Sequence, residues 1–298
     1  MVYLPIYAVE SGLDPQTGGF MMSATNATLF LTPVMLRWMQ RRTVRIAVRT
    51  GCACAGRLAP GAAVMTTDAD STVFPDWVDA NLDELRRVDL VCGTVIADPG
   101  EFARLPPAIA RLGAVEGEYL ALTLAVRRLI DPVPHDPDPS HMNAAGASLA
   151  FHMPLYRDVG GFPALAGSED RVFAAAAEAS GWRVRHSARA RVSTSCRLQG
   201  RAPGGMAEAL AGRITGADPL VDEALEPAAE TVLRARLHRA RREVLARGRE
   251  AAGLLAGIEA RLTGLERVRM RLSDVARETP LLARELSRLS GPVERETA

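Results

Sequence analysis

The chain has 298 residues and carries a formal net charge of +1, from 36 basic and 35 acidic side chains. That balance excludes a global basic field for nucleic acid. Every basic residue is Arg and none is Lys, which excludes Schiff-base lysine chemistry and any lysine-bearing phosphate loop.

The length allows a sizeable core without staples. Four cysteines, Cys52, Cys54, Cys92 and Cys196, form no Cys-x-x-Cys pair, and the five His are scattered. A disulfide framework and a structural zinc site are therefore not expected. The first residues lack a basic stretch followed by a long apolar run. No segment approaches a membrane span. A cytoplasmic protein is expected, one that can touch a membrane as a peripheral protein. The net charge also hides a split. Residues 231–298 hold 15 Arg against 9 acids, or +6, which leaves −5 on the remainder.

In chain order, residues 1–60 give no clear periodicity. Ala62 to Thr67 reads as a buried strand ending at Asp68. Pro75-Asp76-Trp77 opens a helix with Trp77, Leu82 and Leu85 on its apolar face. Leu90 to Ile96 is a second strand, and residues 115–130 a helix. Asp131 to Ser140 is a loop rich in Pro and Asp. Ala145 to His152 reads as a strand, Tyr156 as the start of a short helix ending at Gly160-Gly161, and Arg171 to Gly181 as a helix with a Gly cap. Arg183 to Arg185 and Ala190 to Thr194 read as strands. Such alternation predicts an α/β fold with a mixed, mainly parallel sheet and helices on both faces. The expected domains are 1–218, with 1–45 diverged or truncated, and a helical extension over 219–298.

Within the extension, residues 228–249 and 251–290 are helical in pattern. Leu255, Ile258, Leu262, Leu265 and Leu272 follow an a/d spacing. A helical hairpin packed on the body or on itself is expected, with a short dimeric coiled coil second. The segment 228–290 is thus a candidate homodimer or partner surface. Arg234, Arg236, Arg241, Arg242 and Arg249 form a basic face that could meet anionic lipid or an acidic partner, although a solvated face is the default.

The sharpest chemical signal is Thr67-Asp68-Ala69-Asp70-Ser71. Two carboxylates one residue apart, past the end of a strand, stand where α/β sheets bind ligands. Their oxygens suit a hard divalent cation. A pair of solvated helix-capping acids is the plainer reading of the triplet taken alone.

Two blocks extend it. Val64 to Val78, VMTTDADSTVFPDWV, resembles the metal-binding strand and loop of family-2 glycosyltransferases. His141 to Asp170 resembles the acceptor-side segment of that family: an Asn-to-Gly loop, a strand, a Tyr, Gly-Gly-Phe, then Glu-Asp. Both come in the family's order, over about residues 45–215. The resemblance implies a GT-A (Rossmann-like) fold and transfer of a sugar, with inversion, from a nucleoside-diphosphate sugar to a hydroxyl acceptor. It further implies that Asp68 and Asp70 hold Mg²⁺ or Mn²⁺ against the donor diphosphate, and that Asp170, with Glu169 beside it, is the general base. Asn143 and Gly146 fall in the acceptor-side loop as candidate substrate contacts, near His141. Arg197 and Arg201, after the last strand, are candidate contacts to the diphosphate or the acceptor. The chain departs from the family in lacking the Gln-x-x-Arg-Trp motif there. It also lacks the amino-terminal Asn-Glu-like turn and the Asp-bearing second strand that bind the nucleoside. A half-built nucleotide pocket would follow, so the alternative is an impaired, non-catalytic scaffold that uses its helices for a partner. A nucleotidyltransferase of related fold is weaker, because it leaves the Glu-Asp block without a role.

Overall fold

A computed structural model describes residues 6–9, 63–68, 70–165, 167–199, 205–247 and 252–291. The chain divides into two compact units. The first comprises 1–104 and 135–208, and the second 105–134 and 209–298.

The first unit is built on one mixed sheet. Its strands are β1 (Ile6–Val9), β2 (Ala63–Thr66), β3 (Ser71–Val73), β4 (Leu90–Ala97), β5 (Leu149–His152) and β6 (Val184–Thr194). They lie in the order β1-β2-β5-β4-β6-β3. Only β4 and β6 pair in parallel; β1–β2, β2–β5, β4–β5 and β3–β6 are antiparallel. The sheet is α/β in context, as expected, but it is not mainly parallel. A parallel neighbour needs a crossover connection. Here the long helix after β4 belongs to the other unit, and β5 runs back between β2 and β4.

Successive strand residues point to opposite faces, and both faces are covered. Val64, Leu90, Cys92, Leu149, Phe151 and Val184 pack with Phe173, Ala174 and Ala177. Those last three belong to α5 (Glu169–Ala179). On the other face Met65, Val91, Ala150, Ala190 and Val192 pack with Trp77, Ala80 and Leu85 of α1 (Trp77–Leu85). Helices on both faces follow directly from that alternation.

Short elements complete the unit. α2 (Pro99–Phe102) starts at Asp98, whose carboxylate accepts the Glu101 amide at 2.8 Å. A 3₁₀ turn over Gly146–Ser148 takes the first half of the expected 145–152 strand. After α4 (Met153–Asp158), Gly161 has φ +75° and its Cα faces the Tyr156 ring; a Cβ there would come within 2.6 Å of that ring. This close approach lets Tyr156 and Phe162 pack with Phe151 and Phe173. The Gly-Gly-Phe segment therefore has a packing role. The two predicted strands over 183–194 are one, β6, whose pairing with β4 shifts register between Gly93 and Thr94.

The second unit contains α3 (Pro107–Ile130), α7 (Ala228–Ala246), α8 (Ala252–Gly264) and α9 (Leu272–Ser290), and takes in most of α6 (Met206–Thr215). Tyr119, Val126, Ile130, Val221, Leu225, Val232, Val275 and Leu282 form its core. The helix predicted at 115–130 thus starts earlier and joins the carboxy-terminal helices. The boundary is not a single cut after residue 218. The a/d run from Leu255 to Leu272 is also not one helix, since residues 265–270 are not helical. Three members of the expected basic face are paired inside this unit. Arg234 meets Glu226 at 2.8 Å, Arg241 meets Glu259 at 3.4 Å, and Arg242 binds Asp131. Arg249 lies outside the described residues. No helix among them is long and apolar enough to cross a membrane.

Candidate functional site

The site gathers where β2 ends. β2 pairs antiparallel with β5, so Thr66 stands opposite Leu149. The Thr66 hydroxyl donates to the Gly146 carbonyl at 2.7 Å. The Gly146 amide donates in turn to Asp170 Oδ2 at 2.7 Å, while Asp170 Oδ1 accepts the Arg171 amide at 2.8 Å. Three segments distant in sequence are thereby joined: the end of β2, the loop before β5 and the start of α5. An ionised carboxylate offers about four lone-pair sites, so Asp170 keeps acceptor capacity after these two bonds. The residue before the pair, Ser168, has φ +60° without being glycine. That left-handed conformation costs about 1–2 kcal/mol, and it sets how the chain enters α5 at Glu169 and Asp170.

Asp68 and Asp70 lie in the turn between β2 and β3, closed by the Ser71 amide on the Asp68 carbonyl at 3.1 Å. The Asp68 carboxyl is pushed up to about 7. Burial is the main cause; Asp70, Asp170 and Glu169 add repulsion, and Arg197 opposes them. Asp70 itself meets Arg197 at 2.5 Å, and its carbonyl accepts the Ser195 amide at 3.2 Å. Three of the predicted acids and Arg197 therefore bear on Asp68, the fourth.

The other predicted residues are placed unevenly. Asn143 donates its backbone amide to His141 Nδ1 at 3.1 Å, and His141 Nε2 contacts the Ser187 carbonyl at 3.3 Å. Burial, with His186 beside it, lowers His141 to about 4, so it is neutral at pH 7 and organises the loop. Arg201, Cys52 and Cys54 lie outside the described residues. Cys196 is buried, 3% exposed, and burial pushes its thiol up.

Sequence reasoning missed Glu101. Its Oε2 accepts from Ser195 Oγ at 2.7 Å and from the Cys196 amide at 2.6 Å. Nothing in its local pattern signals this, because the partners lie 94 and 95 residues away. It also missed a polar cluster on Asp136, which binds Arg185 Nη1 at 2.7 Å and His186 Nδ1 at 3.0 Å. His186 and Arg185 outweigh the effect of burial and hold Asp136 down at about 2.

As a cation site the group must be judged by its donors. Among the described residues, no three or more His, Cys, Asp or Glu side chains are gathered tightly enough to hold a metal by themselves. Mg²⁺, however, is usually held by one or two carboxylates, with substrate phosphates and water completing the shell. Asp70, Asp170 and Glu169 repel charge on Asp68 more than Arg197 offsets it, a surplus that a dication would relieve. Asp68 and Asp70 are carboxylates of the kind such a shell uses, and Asp70 is already paired with Arg197. Comparison with family models, with curated proteins and with solved structures finds no match.

Proposed function

We propose that the chain is a metal-dependent glycosyltransferase of the family-2 type, with a GT-A-like first unit, which moves a sugar from a nucleoside-diphosphate donor to a hydroxyl acceptor. One observation carries the reading. Thr66, from the first sequence block, is tied through the Gly146 backbone to the Asp170 carboxylate, from the second, by two hydrogen bonds of 2.7 Å. Two blocks that resemble one family thus meet in one hydrogen-bonded chain beside Asp68.

In this reading Asp68 and Asp70 would hold Mg²⁺ or Mn²⁺. When bound, the cation supplies charge stabilisation to the departing diphosphate. Arg197 offers a guanidinium fork to the phosphates. Asp170 accepts the acceptor hydroxyl proton as the new glycosidic bond forms and the bond to the diphosphate breaks. The Gly146 and Arg171 amides orient its carboxylate for that role. Glu169 contributes negative charge beside it.

Calorimetric titration of uridine diphosphate and guanosine diphosphate, with and without Mn²⁺, tests the proposal. Mn²⁺-dependent heat with either nucleotide is expected. No heat from either in the presence of Mn²⁺ would overturn it.

A further inference from the structure

Arg197 reaches Asp70 from a turn whose other side is held outside the carboxylate group. Beyond Thr194, the last residue of β6, the Ser195 amide donates to the Asp70 carbonyl at 3.2 Å and the Arg197 amide donates to Ser195 Oγ at 3.4 Å. From the opposite side Glu101 Oε2 takes both Ser195 Oγ, at 2.7 Å, and the Cys196 amide, at 2.6 Å. Glu101 does not float. Its amide is capped by Asp98 at 2.8 Å, and the Asp98 amide donates to the Thr194 carbonyl at 2.8 Å. On the near side Ser71 Oγ and Thr194 Oγ1 lie 3.0 Å apart. The end of β6 is therefore gripped between α2 and the Asp68–Ser71 turn, and Arg197 projects from the gripped segment.

We propose that Glu101 is a positioning residue of this site: it fixes the Ser195–Arg197 turn so that the guanidinium is delivered to Asp70, where a diphosphate can take it up. The role in diphosphate binding rests on the transferase reading, whereas the grip on the turn does not. A charged acceptor shared by a hydroxyl and an amide is a stronger tie than a neutral one. Releasing it frees the segment that carries the guanidinium paired with Asp70.

Cys196 reports on the grip, because it is buried in the same turn and its amide is one of the two donors. The full-length protein is compared with Glu101→Ala, Glu101→Gln, Arg197→Ala and the Glu101→Ala/Arg197→Ala double variant. Alkylation of Cys196 is followed by peptide mass spectrometry, and uridine and guanosine diphosphate binding with Mn²⁺ by calorimetry. Glu101→Ala should speed Cys196 alkylation by about tenfold or more through local opening, while Arg197→Ala leaves it within about twofold. Each single Ala variant should lose about tenfold in diphosphate affinity, roughly one lost interaction, and the double variant should bind no more weakly than Arg197→Ala. Glu101→Gln, which keeps a carbonyl acceptor, should recover most of both properties; if Glu101→Ala fails to fold, Ser195→Ala, which removes one of the two donors, carries the test through faster Cys196 alkylation. Unchanged alkylation, or losses that add in the double variant, would overturn the proposal. A wild-type protein that binds neither diphosphate refutes the transferase reading instead, and the alkylation rates then decide the grip alone.

Discussion

The Arg197 guanidinium lies 2.5 Å from the Asp70 carboxylate, while both side chains stay partly open to solvent. Ion pairs of this exposure contribute only about 0–1 kcal/mol to stability. Arg197→Ala should therefore leave the melting temperature nearly unchanged. It should move the Asp68 carboxyl further up, because a cation that opposes the neighbouring acids is gone. Carboxyl NMR titration reads the second effect and thermal unfolding the first. A large loss of stability with no change at Asp68 would count against this account of the pair.

Asp170→Asn keeps the shape of the side chain and at least one acceptor for the Gly146 and Arg171 amides. It removes the base. Turnover should fall by roughly 10²–10⁴-fold, the usual contribution of a positioned acid or base, while Mn²⁺-dependent diphosphate affinity changes little. Asp70→Asn should show the opposite split, with affinity lost first. Steady-state kinetics beside calorimetry separates the two, and transfer that survives Asp170→Asn sinks the base assignment.

Asp68 and Asp136 give stability opposite dependences on pH. The folded protein holds the Asp68 proton up to about 7, against 3.8 for an ordinary Asp. Between those values the unfolded chain has lost a proton that the folded chain keeps, so stability falls as pH rises through that window and levels off above it. Asp136, held at about 2, contributes stability that is present above the ordinary value and is lost as pH falls towards 2. Denaturant unfolding across this range should show a falling limb that Asp68→Asn flattens and an acid limb that Asp136→Asn reduces. Mn²⁺ prefers the ionised carboxylate, so its affinity should rise with pH towards neutrality. A flat profile in wild type contradicts both assignments.

Gly93 stands at the register shift between β4 and β6. A Cβ there would lie 2.1 Å from Ser148 Oγ and 2.2 Å from the Ala190 carbonyl. The same hydroxyl accepts Trp77 Nε1 at 2.9 Å and donates to Ala190 at 3.2 Å. Gly93→Ala should cost about 1–3 kcal/mol in overpacking, and about 1 kcal/mol more for each displaced hydrogen bond. Thermal unfolding should show one of the larger drops for any single methyl added to this unit. A neutral result would mean that the Trp77–Ser148–Ala190 chain yields more easily than its burial suggests.

The sequence made the apolar runs legible and the pairings not. Leu90-Val91-Cys92 announces a strand because both faces are buried. Nothing in it tells that β5 would lie antiparallel beside it, since direction is decided by where the intervening helix packs. Ser71–Val73 is only three residues long and edge-paired, too short to show a period. Asp68 and Asp70 could be picked out by their spacing past a strand, and Asp170 only through the resemblance of its block. Glu101 could not, because its importance comes from a contact across the fold. The pairing of the α7 arginines was hidden for a related reason: Glu226 and Asp131, which take up Arg234 and Arg242, precede the helix and pair with it only once the unit folds.

The interleaving of the two units has a practical consequence for dissecting the protein. A chain ended after Asp218 would retain Pro107–Ile130 but discard Val221, Leu225, Val232, Val275 and Leu282, the side chains with which Tyr119, Val126 and Ile130 form a core. The excised fragment would be a sheet domain bearing a naked apolar helix, prone to self-association whatever its catalytic state. Removing 105–134 together with the carboxy-terminal helices, and rejoining Arg104 to His135 through a flexible linker, follows the grain of the molecule instead.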